Sequence, residues 1–96
     1  MMINIEPRHM QILKTILSKT GVQFYVFGSR SRGSNRKFSD LDLLYKEPVD
    51  TSLLGQIRYE LEESNLPYKV DLVNYNDCKE SFIKLIEEDL SPLKLE

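Results

Sequence analysis

Residues 28–44 read GSRSRGSNRKFSDLDLL, a stretch that joins a glycine turn, clustered cations and paired carboxylates. The run that precedes it, Val22 to Phe27, is almost continuously apolar and predicts a buried strand that ends at Gly28. Because glycine has no Cβ, a ligand can approach the backbone at Gly28 closely. Ser29 can cap a short helix there, and the free N–H groups at a helix start attract phosphate. The stretch therefore predicts a phosphate-binding turn directly after the first strand.

Positive charge is concentrated in the same stretch. Its cations are Arg30, Arg32, Arg36 and Lys37, with no acid among them, although the formal net charge of the whole chain is −2. The local field is therefore opposite in sign to the global one, as expected for a segment that meets an anion. The plainer alternative is a strand-ending turn with solvated arginines.

Asp40 and Asp42 lie in a run, Ser39 to Tyr45, that predicts a second strand. Side chains alternate along a strand, so both carboxylates point to one face while Leu41 and Leu43 point to the other. Two like charges on one face repel unless a cation lies between them, although charges on an edge strand can also serve only to prevent aggregation. Beside a turn that attracts phosphate, the pair predicts Mg²⁺ bound together with a nucleoside triphosphate.

The remaining sequence predicts helices and strands in alternation. Three longer helices are predicted. The first opens at Glu6-Pro7 and ends at Gly21, and the second is capped by Asp50 and ends at Asn65. The third is capped by Asp77 and runs to about Asp89, and Pro92 prevents its continuation. A third strand is predicted from Tyr68 to Asn74. We therefore predict an α/β (α+β) fold in the order α-β-α-β-α-β-α, with a small mixed three-stranded sheet flanked by helices. The first two strands should run in opposite directions, because the short segment between them makes a poor parallel crossover.

Three further features of the sequence are not predicted to contribute to a catalytic or metal site. His9, in the first turn of the first helix, has no cysteine or second histidine near it in sequence and is predicted to be solvated rather than a ligand. Cys78 cannot form an internal disulfide and is interpreted as incidental. Residues 90–96 follow the last helix and predict a frayed tail, with an apolar strip that packs on a partner as the alternative.

Length and composition narrow the class of protein. A chain of 96 residues is predicted to be a single domain with one modest core. The isoelectric point near 5.4 argues against a general nucleic-acid binder. No apolar run approaches the length of about 18 residues that a membrane span needs, and the N-terminus has no signal sequence, so a cytoplasmic location is predicted.

The spacing of the glycine turn and the aspartates resembles a known signature. Gly28-Ser29, ten intervening residues and then Asp40-Leu41-Asp42 are similar to the motif of the polymerase-β-type nucleotidyltransferase superfamily. The closer resemblance is to the minimal nucleotidyltransferases (MNT), which are typically encoded beside a HEPN-domain protein in prokaryotic toxin–antitoxin pairs. The resemblance implies one minimal nucleotidyltransferase domain over residues 1–96 and a third acid, Asp71, in the third strand.

The resemblance also implies the roles of the site residues. Asp40, Asp42 and Asp71 would be the catalytic carboxylates and would hold two Mg²⁺ ions, or Mn²⁺, with ATP as the substrate. Asp71 would also accept the proton of the attacking hydroxyl. Nucleotide contacts would come from Gly28, Ser29, Arg30, Arg32, Gly33 and Ser39.

By the same resemblance, the protein would be an antitoxin that transfers AMP to a hydroxyl of a HEPN ribonuclease toxin, with tyrosine as the expected acceptor. The chain has no room for a separate acceptor-binding domain, which favours an acceptor from a partner. Two alternatives stay open. In one, the site is vestigial and the protein neutralises the toxin by contact; in the other, NMP goes to tRNA or a small molecule, with a partner chain completing the pocket.

Overall fold

The structure is a computed structural model that describes residues 5–32 and 39–95. Its strands are β1 (Phe24–Phe27), β2 (Leu41–Tyr45), β3 (Val70–Asn74) and β4 (Ser91–Leu93). Its α-helices are α1 (Pro7–Leu17), α2 (Ser29–Arg32), α3 (Thr51–Glu62) and α4 (Glu80–Ile86). Short 3₁₀ turns follow α1, β3 and α4, at Ser18–Thr20, Tyr75–Asp77 and Glu87–Asp89. The predicted alternation of helix and strand is confirmed.

The four strands form one mixed sheet in the order β3-β2-β1-β4. β1 runs antiparallel to β2, as predicted, and also antiparallel to β4. β2 and β3 are parallel, with α3 between them along the chain as the crossover. The sheet therefore has one more strand than the three predicted.

The additional strand lies in the segment that the sequence predicts as a frayed tail, and that prediction is wrong. Leu93 is paired with Phe24 and Ser91 with Val26 in the β1/β4 register, and Leu93 is only 1% exposed. Pro92 is compatible with this strand because β4 lies at the edge of the sheet, where a missing N–H donor costs no ladder bond. The C-terminal segment is thus part of the core.

The two faces of the sheet carry different apolar clusters. The larger core includes residues from α1, α3 and the strands that are fully or almost fully buried: Leu13, Leu17, Phe24, Val26, Leu41, Leu43 and Ile57. A smaller cluster of Phe27, Leu44 and Ile86 forms on the opposite face, where α4 packs. Since Leu43 and Leu44 belong to different clusters, β2 has apolar contacts on both sides.

The starts of the helices confirm two predictions and correct a third. Pro7 opens α1, and the Asp50 carboxylate accepts a hydrogen bond from the Leu53 N–H at the start of α3. Asp77 was predicted to cap the last helix, but it lies in a 3₁₀ turn, and α4 begins at Glu80 without a side-chain cap. The chain reaches this turn directly from β3, where the Asn74 side chain accepts from the Asn76 N–H instead.

His9 is buried rather than solvated, which corrects a further prediction. It is 8% exposed, and its ring meets the Tyr68 ring edge-on with 5.4 Å between centroids. The sequence contains no local signal for this contact, because Tyr68 is distant along the chain.

Within the described ranges, no helix has both the length and the apolar character that a bilayer crossing requires.

Candidate nucleotidyl-transfer site

Two of the three predicted acids lie side by side in the sheet. Asp42 on β2 and Asp71 on β3 are direct partners in the parallel register. Because residues alternate along β2, Asp42 projects from the face opposite to Leu41 and Leu43. Asp40 precedes β2 by one residue and is exposed. The sheet therefore pairs Asp42 with Asp71 and leaves Asp40 at the entrance to the strand.

The carboxyl of Asp42 is held in an environment that disfavours its charged form. Burial raises its pKa from the ordinary value of 3.8, and the negative charges of Asp71 and then Asp40 raise it further. Asp71 and Asp40 therefore both lie within electrostatic reach of Asp42. A cation bound beside Asp42 would relieve the repulsion, so the arrangement fits a site for a cation.

Gly28 lies directly against this acid. Its φ of +77° is in the left-handed region that favours glycine, and a Cβ built on it would stand 2.8 Å from Asp42 Oδ2. Phe27, the residue before it, is the register partner of Asp42 in the β1/β2 ladder. The glycine turn and the acidic strand are therefore in contact, as a site that joins phosphate to metal requires.

The short helix α2 continues from this turn and is anchored to the C-terminal part of the chain. The Ser31 N–H donates to the Gly28 carbonyl at 3.2 Å, and the fully buried Ser31 hydroxyl bonds to the Asp89 carbonyl. The same hydroxyl lies 3.1 Å from that of Ser91 on β4. The contacts of Ser31 with Asp89 and Ser91 thus fix the glycine turn against the C-terminal segment. The sequence gives no signal for them.

Arg30, one of the residues predicted to contact the nucleotide, is buried. Its side chain is only 4% exposed, and its guanidinium donates to the Ser39 carbonyl through Nε at 3.1 Å and Nη2 at 2.8 Å. The guanidinium carbon also lies 4.0 Å from the centre of the Tyr68 ring. These contacts bury the group in the protein and link Arg30 to the segment before Asp40, while its predicted contact to the nucleotide stays a prediction. Ser39, also a predicted nucleotide contact, accepts the hydrogen bonds of Arg30 through its backbone carbonyl.

A cleft opens next to Asp71. It has a volume of about 480 Å³ and lies between α3 and the open edge of β3, with Arg58, Tyr68, Lys69 and Asp71 among its lining residues. Lys69 Nζ is 3.5 Å from Asp71 Oδ1. Lys69 is not among the predicted site residues, although its position two residues before Asp71, on the same face of the predicted strand, was a usable signal.

The donor chemistry fits a metal that is shared with a nucleotide. In residues 5–32 and 39–95, no three histidine, cysteine, aspartate or glutamate side chains come together as a set that could hold a metal ion. The strand pairing fixes Asp42 beside Asp71 but does not include Asp40, so the metal-binding role predicted for Asp40 stays a prediction. Mg²⁺ is usually bound by one or two carboxylates together with substrate phosphates and water, so the Asp42 and Asp71 pair suits it.

Part of the predicted site lies outside the described residues. Gly33 is one such position, and the side chains of Ser29 and Arg32 also fall outside the description. Their predicted contacts to the nucleotide stay predictions.

The sheet topology, the glycine turn and the paired aspartates together define a nucleotidyltransferase. Comparison with known proteins confirms this class: residues 11–91 match the family model described as Polymerase beta, Nucleotidyltransferase, and the chain belongs to that family. The match includes the glycine turn and all three predicted acids.

Similar proteins carry more specific names. In an alignment of 90 positions that covers 90% of this chain and 79% of the other, the chain is 34% identical to the "Probable protein adenylyltransferase MntA" of Haemophilus influenzae. In an alignment of 87 positions that covers 86% of this chain and 85% of the other, it is 38% identical to a protein of Methanocaldococcus jannaschii that is named as a putative protein adenylyltransferase. A crystal structure of a toxin–antitoxin with AMP-PNP has the same fold, with a TM-score of 0.67, 21% identity and coverage of 88% of this chain and 72% of that one.

Proposed function

We propose that this nucleotidyltransferase transfers AMP from ATP, with Mg²⁺, to a hydroxyl of a partner protein, and that the partner is a HEPN-domain toxin. The observation that carries the proposal is the direct pairing of Asp42 with Asp71 beside the Gly28 backbone. The names of the similar proteins favour a protein acceptor and an adenylyl group. The toxin–antitoxin with AMP-PNP supports an ATP-like substrate and a toxin partner. The HEPN identity rests on the family resemblance.

In the proposed reaction, an oxygen of the acceptor hydroxyl attacks the α-phosphorus of ATP. A new P–O bond forms to the acceptor, the bond to the β-phosphate breaks, and pyrophosphate leaves. Asp71 accepts the hydroxyl proton, since it lies at the open edge of the sheet and lines the cleft through which an acceptor can approach. Lys69, 3.5 Å from Asp71, offsets its negative charge in the absence of other cations.

The glycine turn holds the nucleotide. Backbone N–H groups at Gly28 and Ser29 are proposed to bind the β- and γ-phosphates, and Arg32 to offset charge on the leaving pyrophosphate. Asp42 and Asp71 are proposed to hold Mg²⁺, with Asp40 completing the set once the nucleotide is bound. Bound there, the metal would neutralise phosphate charge and lower the pKa of the attacking hydroxyl.

The test is transfer of label from ATP that is radioactive at the α-phosphate to the co-purified HEPN-domain protein. We expect label on that protein with Mg²⁺ and none with EDTA, and mass spectrometry should find an adduct of AMP mass on a tyrosine. Asp71→Asn should stop labelling while the two proteins still associate, because a group that acts on the reacting atoms contributes more to chemistry than to docking. Asp77→Asn, an exposed aspartate in the turn after β3, is the matched control and should label normally.

Other outcomes of the labelling experiment would support one of the alternative functions. An unlabelled partner that is nevertheless neutralised by the Asp40→Asn, Asp42→Asn double variant would replace the enzyme with a contact-only binding module. Label on tRNA, in a reaction that weakens with salt, would move the acceptor from protein to RNA. Label on a small molecule only when the partner chain is present would support a shared pocket.

A further inference from the structure

Arg30 is the buried charged residue closest along the chain to the glycine turn. Only 4% of it is exposed. Removing a charged group from water is costly unless the protein replaces its hydrogen bonds and surrounds it with favourable partners. A guanidinium that is kept in such a place needs contacts that repay this cost, and the contacts of Arg30 identify what it holds.

The first of these contacts is with the segment that leads to the acids. Nε and Nη2 donate in parallel to the carbonyl oxygen of Ser39, at 3.1 and 2.8 Å. This carbonyl belongs to the peptide bond that joins Ser39 to Asp40. Two donors of a rigid planar group on one oxygen fix the position of that peptide more strictly than one donor could. The start of β2 is therefore tied to α2.

The second contact is with the segment that leads to Asp71. The Arg30 guanidinium lies 4.0 Å from the centre of the Tyr68 ring, two residues before β3 begins. The edge-to-face contact with His9 on α1 fixes the same ring from another side. One side chain thus connects the helical turn after Gly28 with the approaches to both acid-bearing strands.

We propose, on the basis of the proposed function, that Arg30 is a positioning residue for nucleotidyl transfer: it aligns Asp40, Asp42 and Asp71 with the phosphate-binding turn without touching the nucleotide. Groups that orient metal-binding side chains from outside the first layer of ligands typically contribute 10–100-fold in metal affinity or activity. Lysine keeps the charge but has no planar fork and stacks poorly on an aromatic ring, so it should not replace Arg30.

The test separates positioning from direct phosphate binding by measuring ATP affinity calorimetrically, once with Mg²⁺ and once with EDTA. For Arg30→Lys, we expect the affinity in EDTA to stay near that of the wild type, because the turn that binds phosphate keeps its N–H groups and the charge is retained. The gain on adding Mg²⁺ is the ratio of the ATP affinity with Mg²⁺ to the ATP affinity in EDTA. In Arg30→Lys this ratio should be about 10-fold or more below that of the wild type. The control is Arg8→Lys, an exposed arginine on α1 whose side chain pairs with Glu6 at the surface, and it should behave as the wild type.

Tyr68 provides a second pair of variants in case Arg30→Lys does not fold. The Tyr68 hydroxyl is buried and has no hydrogen-bond partner among the described residues, so Tyr68→Phe should keep the gain on adding Mg²⁺. Tyr68→Leu removes the aromatic face and should lose it, as Arg30→Lys does.

Each further outcome overturns the proposal. An Arg30→Lys protein with the full Mg²⁺ gain would show that only the charge matters. Weaker ATP binding in EDTA as well would show direct phosphate contact, and a lower melting temperature with unchanged affinities would show a merely structural role. A wild type that does not bind ATP at all would instead contradict the proposed substrate and is distinguishable from all three.

Discussion

The two faces of the sheet use the same strands for different purposes. On the face covered by α1 and α3, Leu41 and Leu43 of β2 are completely buried in the larger apolar core. On the other face, Asp42 stands between them in sequence, opposite Asp71, with its pKa raised by burial and by its acidic neighbours. Alternation at the start of β2 therefore separates two apolar side chains that stabilise the core from a carboxylate whose charge is unfavourable in isolation. The difference indicates that the two carboxylates on the acidic face serve to bind a ligand rather than to stabilise the fold.

The glycine turn lies between the acid-bearing strands and the C-terminal edge strand. Gly28 leaves β1 with a positive φ and approaches Asp42 so closely that a Cβ would have no room. After it, Arg30 turns towards the acid-bearing strands and Ser31 towards β4. Two adjacent buried side chains of α2 thus hold the turn between the catalytic strands and the C-terminal edge strand.

The largest expected effect is on chemistry from the acidic face. Asp42→Asn should lower AMP transfer about 10³-fold or more, because the uncharged amide cannot hold a metal cation that stabilises charge in the transition state. The folded structure should persist, since asparagine is nearly isosteric and removes like-charge repulsion. Initial rates of labelling and a thermal melt of the same sample check both parts. Unfolding of this variant would instead mark Asp42 as a structural residue.

The next effect in size is on stability from the apolar face. Leu43→Ala, one residue further along β2, should lower the free energy of unfolding by about 2–5 kcal/mol because it leaves a cavity in a fully buried position. Folded protein should still transfer AMP. Leu85→Ala is the control, since this leucine on α4 is 77% exposed and its truncation should change stability by about 0.5 kcal/mol or less. Urea titrations of the three proteins measure these differences, and equal midpoints would contradict the division between the faces.

The sequence was sufficient where the signal is local. The alternation of Asp40-Leu41-Asp42-Leu43 predicts which side chains share a face, and Asp50 three residues before Leu53 predicts the cap of α3, which the structure confirms. The glycine turn at Gly28 is also readable, because its position after an apolar run requires a special backbone.

The sequence was insufficient where distant segments meet. In the sequence, Arg30 looks like any of the four cations in its stretch, and only the approach of Ser39 and Tyr68 buries it. The direct pairing of Asp42 with Asp71 depends on strand register, which non-local packing sets. Pro92 was interpreted as a helix stop because the edge position that tolerates it is a property of the whole sheet.

The smallest expected effect is a pH dependence that also distinguishes the faces. Since the pKa of Asp42 is raised in the folded protein, the folded state binds that proton more tightly than the unfolded chain does. This contribution to stability is present below the ordinary pKa of 3.8 and is lost as the pH rises through the raised value. Asp42→Asn lacks it, so the variant should gain stability relative to the wild type over that range, by about 1 kcal/mol or less.

Unfolding free energies of both proteins in the absence of metal, at several pH values between about 3 and 7, give the comparison. Glu88→Gln, which removes an exposed carboxylate beyond α4, should follow the wild-type profile. Profiles of the wild type and Asp42→Asn that stay parallel would show that the acidic face carries no strain in the folded protein. A bound cation would then no longer be needed to explain why the two carboxylates lie side by side.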